Sequence, residues 1–378
     1  MPVIEPLPLA RLTTLRTGGS PERMLEARTR DELIDALRET WDRREPWLVV
    51  GGGSNLFVGD DEYDGTVVLV RTSGIQRLPA PRPGRALVRV EAGHDWDALV
   101  AYTVAEGLAG IEAMSGIPGT VGAAPVQNIG AYGQELVQTL VEVELIDEST
   151  GEVSVVPAAE LGLGFRTSVL KEHYGSVAAR SAVILSVTLD LADVGHGEFP
   201  VAGEQLRRAL GLDAAATVSL AWVRDHVLAT RAAKGMVLDD ADPDTHSAGS
   251  FFQNAIVSES FARTLPPECP RWPVAPDIDP VTVIPLSAYD GVVPAPVGSS
   301  PDVKISAAWL IEHSGLRRGF ALPRSRAALS SKHALALTNR GGASAAELAE
   351  LARFIQGRVA SEFGLILQPE PVLVGVEL

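Results

Sequence analysis

Between Ser115 and Glu135 the chain reads SGIPGTVGAAPVQNIGAYGQE, five glycines and two prolines with neither helical nor strand periodicity. So long a glycine-rich run is uncommon inside a compact domain unless it is functional or disordered. Its side chains are mostly small and apolar, which argues against solvated disorder. Any fold for this chain has to accommodate that run and whatever its backbone is wrapped around. A second cluster, Gly51-Gly52-Gly53-Ser54-Asn55, follows the apolar run PWLVV. A Rossmann or P-loop site needs a helix directly behind such glycines, because the phosphate sits on its N-terminal dipole. The continuation LFVGDDEYDG is not helical, and no Gly-Lys-Ser/Thr occurs in the chain. Nor do glycines 116, 119 and 122, spaced by three, give the dinucleotide fingerprint. Two readings remain open on the residues alone: loops whose backbone N–H groups cradle a pyrophosphate, or plain tight turns.

Around these loops the periodicity predicts a mixed α+β chain in three regions. Alternation over residues 12–27 suggests a strand interrupted at Gly18-Gly19. Thr29 and Glu32 have capping-box spacing ahead of a helix with Leu33, Ile34 and Leu37 on one face. Apolar strands flank the first glycine loop and its acidic turn. ALVRVEAG reads as a strand, and Asp95 and Gly107 bound a helix with Trp96, Leu99, Val100 and Val104 inward. Residues 139–192 are strand-rich, and 193–213 form a connector carrying a short helix. SLAWVRDHVLATRAAKG reads as a helix ending at Gly235. The Pro-rich stretch 265–301 reads as loop with one strand, VTVIPL. Ser306 is a candidate cap for a short helix. HALALTN, a helix capped by Ser344 and Glu347, and LILQPEPVLVG read as strand, helix, strand.

At 378 residues the chain exceeds one ordinary core, so two or three domains are expected. No run of 18 apolar residues marks a membrane span, and the N-terminus lacks the basic and apolar regions of a signal peptide. One cysteine, Cys269, excludes a disulfide framework and a Cys-based zinc site. A cytoplasmic protein is expected. The net charge of −16 disfavours nucleic acid and anionic membrane as partners but permits an anionic small molecule held by local cations. Histidines 94, 173, 196, 226, 246 and 333 show no i, i+4 pair, and Asp95 serves better as a cap than as a ligand. No metal site is expected.

The segments GGGSN, GIPGTVGAAPVQNIGAYGQE, FRTSVLK, AGSFFQN and QPEPVLVG occur in the order and spacing of the UDP-N-acetylenolpyruvoylglucosamine reductase family. From about residue 12 to 375 the chain resembles that family, in the Arg-, Ala- and Gly-rich composition of a high-GC bacterium. The resemblance implies an α+β fold: a two-subdomain FAD-binding fold of the vanillyl-alcohol-oxidase (PCMH) type plus a third, substrate-binding α+β domain. It places the subdomains at 1–75 and 76–218 and the third domain at 219–364, with strand 365–378 returning to the first. It implies a monomer with non-covalent FAD and NADPH as co-substrate, reducing the enolpyruvyl ether of UDP-N-acetylglucosamine in peptidoglycan precursor synthesis. Hydride passes from flavin N5 to the vinyl C3, and a proton goes to C2.

By the same resemblance, Arg166 faces the substrate carboxylate and enolate, Ser250 donates the proton to C2, and Glu370 stabilises or relays charge there. FAD is held by Gly51, Gly52, Gly53, Ser54, Asn55 and Leu56 in the first loop. In the second it is held by Gly116, Ile117, Pro118, Gly119, Gly122, Ala123, Gln127, Asn128, Gly130 and Ala131. Lys234, Phe251, Asn254 and Lys304 contact substrate. The chain departs from the family pattern at Gln253 and Ala255, which replace Lys and Pro, and at Phe165, which replaces Tyr. Gly203 falls roughly where many relatives carry a tyrosine that clamps the diphosphate. His313, where some members carry Gln, reads as a helix-surface residue. Two other readings compete with this one. An FAD oxidase of the same fold frequently tethers its flavin through His or Cys, and GGGSNLFV has neither. A nucleotide-sugar-binding regulator on a dead scaffold would have lost the Arg-Ser-Glu set, and all three residues are here.

Overall fold

The computed structural model describes residues 3–171, 180–274 and 302–378. The capping box at Thr29 forms: its hydroxyl accepts from the Glu32 N–H, and the Glu32 carboxylate accepts from the Thr29 N–H. Helix α1 (Arg30–Asp42) then buries Leu33, Ile34 and Leu37. It is the crossover of a parallel arrangement in which Pro21–Ala27 and Trp47–Val50 both pair with the central strand Tyr63–Val70. That central strand is buried from Gly65 to Val70, as a strand covered on both faces should be. The strand expected over 12–27 is shorter than the alternation suggested. Leu9–Arg11 is a 3-10 turn, and Arg16 (φ 59°) and Gly18 (φ 127°) turn the chain before Pro21, where pairing starts.

A second sheet is antiparallel, in the order Val153–Pro157, Leu140–Asp147, Ala182–Asp193, Arg85–Glu91, Ile75–Leu78. Helix α2 (Trp96–Ala105) packs with it; the Asp95 carboxylate accepts from the Ala98 N–H, and Trp96, Leu99 and Val100 are buried. The two sheets share one apolar core that includes Leu25, Leu33, Val88, Trp96, Val143 and Val187.

The short helix expected in the connector is α3 (Glu204–Leu210), begun at Gly203 with φ 86°. Helix α4 (Leu220–Ala232) packs Val223 and Val227 with Ala113, Val201 and Leu206. Beyond it, Ala255–Ser258 and Arg271–Pro273 flank Asp302–Ile305 in a small antiparallel sheet. A hairpin pairs Ala327–Leu329 with Leu337–Asn339. Helices α5 (Glu259–Ala262), α6 (Ala307–His313) and α7 (Ala345–Phe363) complete this part, with Ser306 and Ser344 as caps. Its core takes in Leu15 and Phe57 from the N-terminal region. The expected strand VTVIPL and His173 lie outside the described residues.

At the C-terminal end, Val372–Val374 pairs in parallel with Leu56–Val58, the strand directly behind the first glycine loop. Pro369 and Pro371 have no N–H to give, so the ladder starts only after them. Both carboxylate oxygens of Asp60 accept from the Ala345 N–H, tying the same region to the start of α7. Among the described residues no helix is long and apolar enough to cross a membrane.

Candidate active site

The run from 115 to 135 is a chain of 3-10 turns, Val121–Ala123 and Pro125–Gln127, followed by a two-residue hairpin pairing Gly130–Ala131 with Gln134–Glu135. It lies directly against the first glycine loop. A Cβ on Gly52 would sit 2.6 Å from the Cα of Gly119, and one on Gly51 2.2 Å from the Thr120 hydroxyl oxygen. On Gly53, with φ +60°, it would meet the Leu12 carbonyl oxygen at 1.9 Å. The glycines thus allow two loops to touch backbone to backbone. Gly119 is held from behind, its carbonyl accepting from the Trp96 N–H at 3.0 Å.

Three adjoining cavities open along this seam, about 240, 180 and 570 Å³ in volume. The first runs between the loops under Leu48, Val49, Trp96, Val126 and Ile129, and also takes in Ser54, Asn55, Gln127 and Lys171. Gly122 lines the second. Gly116, Arg11, Thr14 and Arg71 line the third. The backbone N–H groups of residues 51–55 find no acceptor among the described residues. The guanidinium of Arg71 donates to the Gly51 carbonyl at 2.8 Å, and burial pulls its pKa down. Unpaired N–H groups and two arginines suit an anionic diphosphate, and the apolar first cavity suits a flat ring system. These residues therefore fit a dinucleotide cofactor such as FAD.

Of the sixteen residues expected to hold FAD, eleven line the first cavity: the six from Gly51 to Leu56, then Ile117, Pro118, Gly119, Ala123 and Gln127. Asn128, Gly130 and Ala131 line none of the three. Buried Asn128 instead ties the loop together, donating to Glu135 and the Gly164 carbonyl and accepting from the Val137 N–H. Gly130 turns its carbonyl to the Arg166 guanidinium at 3.3 Å.

A polar ring closes the end of the first cavity. Lys171 Nζ donates to Gln127 Oε1 at 2.8 Å and to the Glu370 carbonyl oxygen at 3.1 Å. Asn55 Nδ2 donates to the same two oxygens, at 2.9 and 3.4 Å. Beyond the ring, Arg166 Nε lies 3.0 Å from Glu370 Oε1, an ion pair outside hydrogen-bonding angle that leaves the buried Nε without a bonded partner. Arg166 holds φ 56°, a left-handed conformation uncommon for a non-glycine residue. Burial raises the Glu370 carboxyl above its usual range, and Arg166 and Lys171 pull in the other direction without winning. Far from a solvated edge, Glu370 is half-buried against two cations. Its N–H donates to the Phe251 carbonyl at 2.8 Å, so the segment 250–253 runs beside 368–370 and half-buried Ser250 is carried next to it.

The expected substrate residues are arranged around this centre. Lys304 Nζ stands 4.6 Å from the centroid of Phe165, and Arg166 flanks the same ring at 5.7 Å. Lys234 stands 5.7 Å from the ring of Tyr132. Asn254 spends its carbonyl oxygen on the Ala307 N–H at the start of α6. Phe251 is fully buried, its ring in T-shaped contact with Phe57 and Phe252 and its N–H and carbonyl bonded to Leu335 and Glu370, so it packs the core beneath the site and does not face a substrate as expected. His313 is exposed and stacks on Trp309, as a helix-surface residue does. Sequence reasoning passed over Lys171 and Arg71. Lys171 closes the FRTSVLK segment already singled out for its arginine, and a lysine five residues from that arginine was the available signal.

Residues 21–156 match the family model described as FAD binding domain, and residues 242–374 match that described as UDP-N-acetylenolpyruvoylglucosamine reductase, C-terminal domain. The UDP-N-acetylenolpyruvoylglucosamine reductase of Leifsonia xyli subsp. xyli is 53% identical over 99% of this chain and 100% of its own length. That of Nocardia farcinica is 45% identical over 100% of this chain and 91% of its own. Among solved structures, UDP-N-acetylenolpyruvylglucosamine reductase from Thermus caldophilus aligns with a TM-score of 0.60 at 24% identity, covering 99% of each chain. At that identity the likeness speaks for the fold.

Proposed function

The chain belongs to the UDP-N-acetylenolpyruvoylglucosamine reductases, FAD-dependent oxidoreductases of peptidoglycan synthesis, and from that premise we propose that NADPH is its reductant and that Arg166, Ser250 and Glu370 run the substrate half-reaction. The observation that carries this reading is the half-buried Arg166–Glu370 pair at the end of the glycine-lined cavity, with the Ser250 segment hydrogen-bonded alongside it. FAD, when bound, supplies hydride chemistry that no side chain can. Gly51–Asn55 and Arg71 would hold its diphosphate, and Leu48, Val49, Trp96 and Ile129 would keep water from its ring.

The chain's own residues then handle charge and protons. Hydride addition at C3 of an enolpyruvyl ether leaves carbanion character at C2, next to a carboxylate. Arg166 offers a planar fork to that carboxylate and to the developing enolate. Ser250 delivers the proton to C2, and Glu370 with Arg166 stabilises charge as the hydroxyl gives it up. Lys234 and Lys304 supply the local positive charge that a diphosphate sugar needs on a chain of net charge −16.

An anaerobic spectrum tests the cycle. Protein as purified should show flavin absorbance, bleach with NADPH, and recover colour with the enolpyruvyl sugar nucleotide. Recovery with oxygen alone would favour an oxidase, and a protein that takes up no FAD would refute the reading. Ser250→Ala should leave bleaching by NADPH nearly intact while slowing recovery at least a hundredfold. Equal slowing of both steps would remove the proton-donor role.

A further inference from the structure

Lys171 is buried, and it sits in the wall of the first cavity with its ammonium on Gln127 and the Glu370 carbonyl. Hydrogen bonding does not explain it, because Asn55 Nδ2 donates to both of those oxygens without a charge. A buried ammonium is costly to desolvate, so an amide or a methionine there would be the cheaper way to fill the space. What the lysine alone adds is a positive charge between the cavity and the Arg166–Glu370 pair.

We propose that Lys171 is a positioning residue that couples these two regions: it ties Gln127 and the Glu370 main chain into one ring, and its charge favours the reduced, more anionic state of a flavin bound in the cavity. The inference rests on the flavin reading of that cavity. Among the described residues, the charged groups facing Lys171 are Glu370, which favours the ammonium, and Arg166, which opposes it. Burial outweighs both and brings the lysine down to about 8, so the charge is present at neutral pH and is lost in mildly alkaline solution.

The test is the flavin midpoint potential of the FAD-loaded protein, measured by dye equilibration from pH 7 to 9 in wild type, Lys171→Met and Lys171→Arg. At pH 7 the methionine variant should hold a reduced-to-oxidised ratio at least tenfold lower at the same poise, about 30 mV for a two-electron couple. The arginine variant keeps its charge and should stay within threefold of wild type at pH 7. Above pH 8 wild type should fall away from the arginine variant as Lys171 deprotonates. A methionine variant within threefold of wild type overturns the proposal. Should the methionine variant retain no FAD, the arginine variant decides. It must bind FAD and diverge from wild type above pH 8; loss of FAD, or a potential that tracks wild type throughout, overturns the proposal. Wild type that binds no FAD would instead fail the flavin reading itself, so the two failures are distinct.

Discussion

Replacing Gly52 by alanine tests whether the glycines exist to bring two loops together. The new Cβ would lie 2.6 Å from the Cα of Gly119, 3.1 Å from its carbonyl carbon and 3.3 Å from its nitrogen. Ordinary carbon contacts begin near 3.5 Å, so one loop must retreat by roughly an ångström. Gly119 cannot retreat freely, because its carbonyl holds the Trp96 N–H at the start of α2. Overpacking of this kind costs about 1–3 kcal/mol, and losing the Trp96 bond would add about 0.5–1.5 kcal/mol. Since the displaced loops are the walls of the FAD cavity, the overpacking term alone should weaken FAD binding roughly 5- to 140-fold, at 1.4 kcal/mol per decade, and the melting midpoint should fall. Gly357→Ala is the control: it lies exposed within α7, its Cβ would meet nothing within 4 Å, and alanine is the better helix former by about 1 kcal/mol. The assay is equilibrium FAD titration of apoprotein by flavin fluorescence, with thermal melts of all three proteins. Unchanged FAD affinity in Gly52→Ala would refute the reasoning, as it would show that the loops have slack.

Other consequences follow from single residues. Burial, with Lys234, Arg318 and Arg231 nearby, brings His333 down to about 4. Its contribution to stability is complete above the unfolded value near 6.5 and is lost as pH falls through 4, on the order of 3 kcal/mol in all. Urea melts at pH 7 and 4.5 should therefore show His333→Gln losing less stability than wild type on acidification, and equal losses would refute it. Ser344→Ala removes the hydroxyl that accepts from the Glu347 N–H and should cost about 1 kcal/mol. A melting midpoint unchanged within 1 °C would show that Asp60 caps α7 unaided. Lys304→Met should weaken binding of the enolpyruvyl sugar nucleotide by roughly tenfold or more, as expected for a hydrogen bond from a charged donor, with FAD affinity within twofold of wild type. Parallel loss of both would assign Lys304 to the scaffold.

Local rules were legible in the sequence where they are local in space. The boxes at Thr29 and Ser344, and the caps at Asp95 and Ser306, involve atoms three residues apart, and all four formed. The strand over 12–27 failed because alternation records side chains and not φ; a left-handed Arg16 leaves no trace in a hydropathy pattern. The environment of Glu370 was illegible for a different reason. Two flanking prolines suggest a stiff edge, but its burial depends on Arg166 and Lys171, two hundred residues away, and on the turn beside Phe251. The glycine loops were legible as unusual, and their partner was not: the atom that forbids a side chain at Gly52 belongs to Gly119.

The charge of −16 sets how the molecule behaves in bulk, while the cleft follows its own balance. Of the carboxylates that line the cavities, Asp97 is already spent, paired in bidentate fashion with Arg224 at 2.7 Å and accepting from the Gly116 N–H. Asp95 is occupied as the cap of α2. What remains along the seam is Arg11 and Arg71 beside the glycines and Lys171 at the far end, with Arg166, Lys304 and Lys234 beyond. Two of the last three rest against the same phenylalanine, a ring that supports cations without neutralising them. Among these cations stands the carboxylate of Glu370, and burial has raised its pKa despite them. Charge brought in by a ligand therefore meets an excess of cations among the described residues, and burial shifts Glu370 at the centre toward its neutral form.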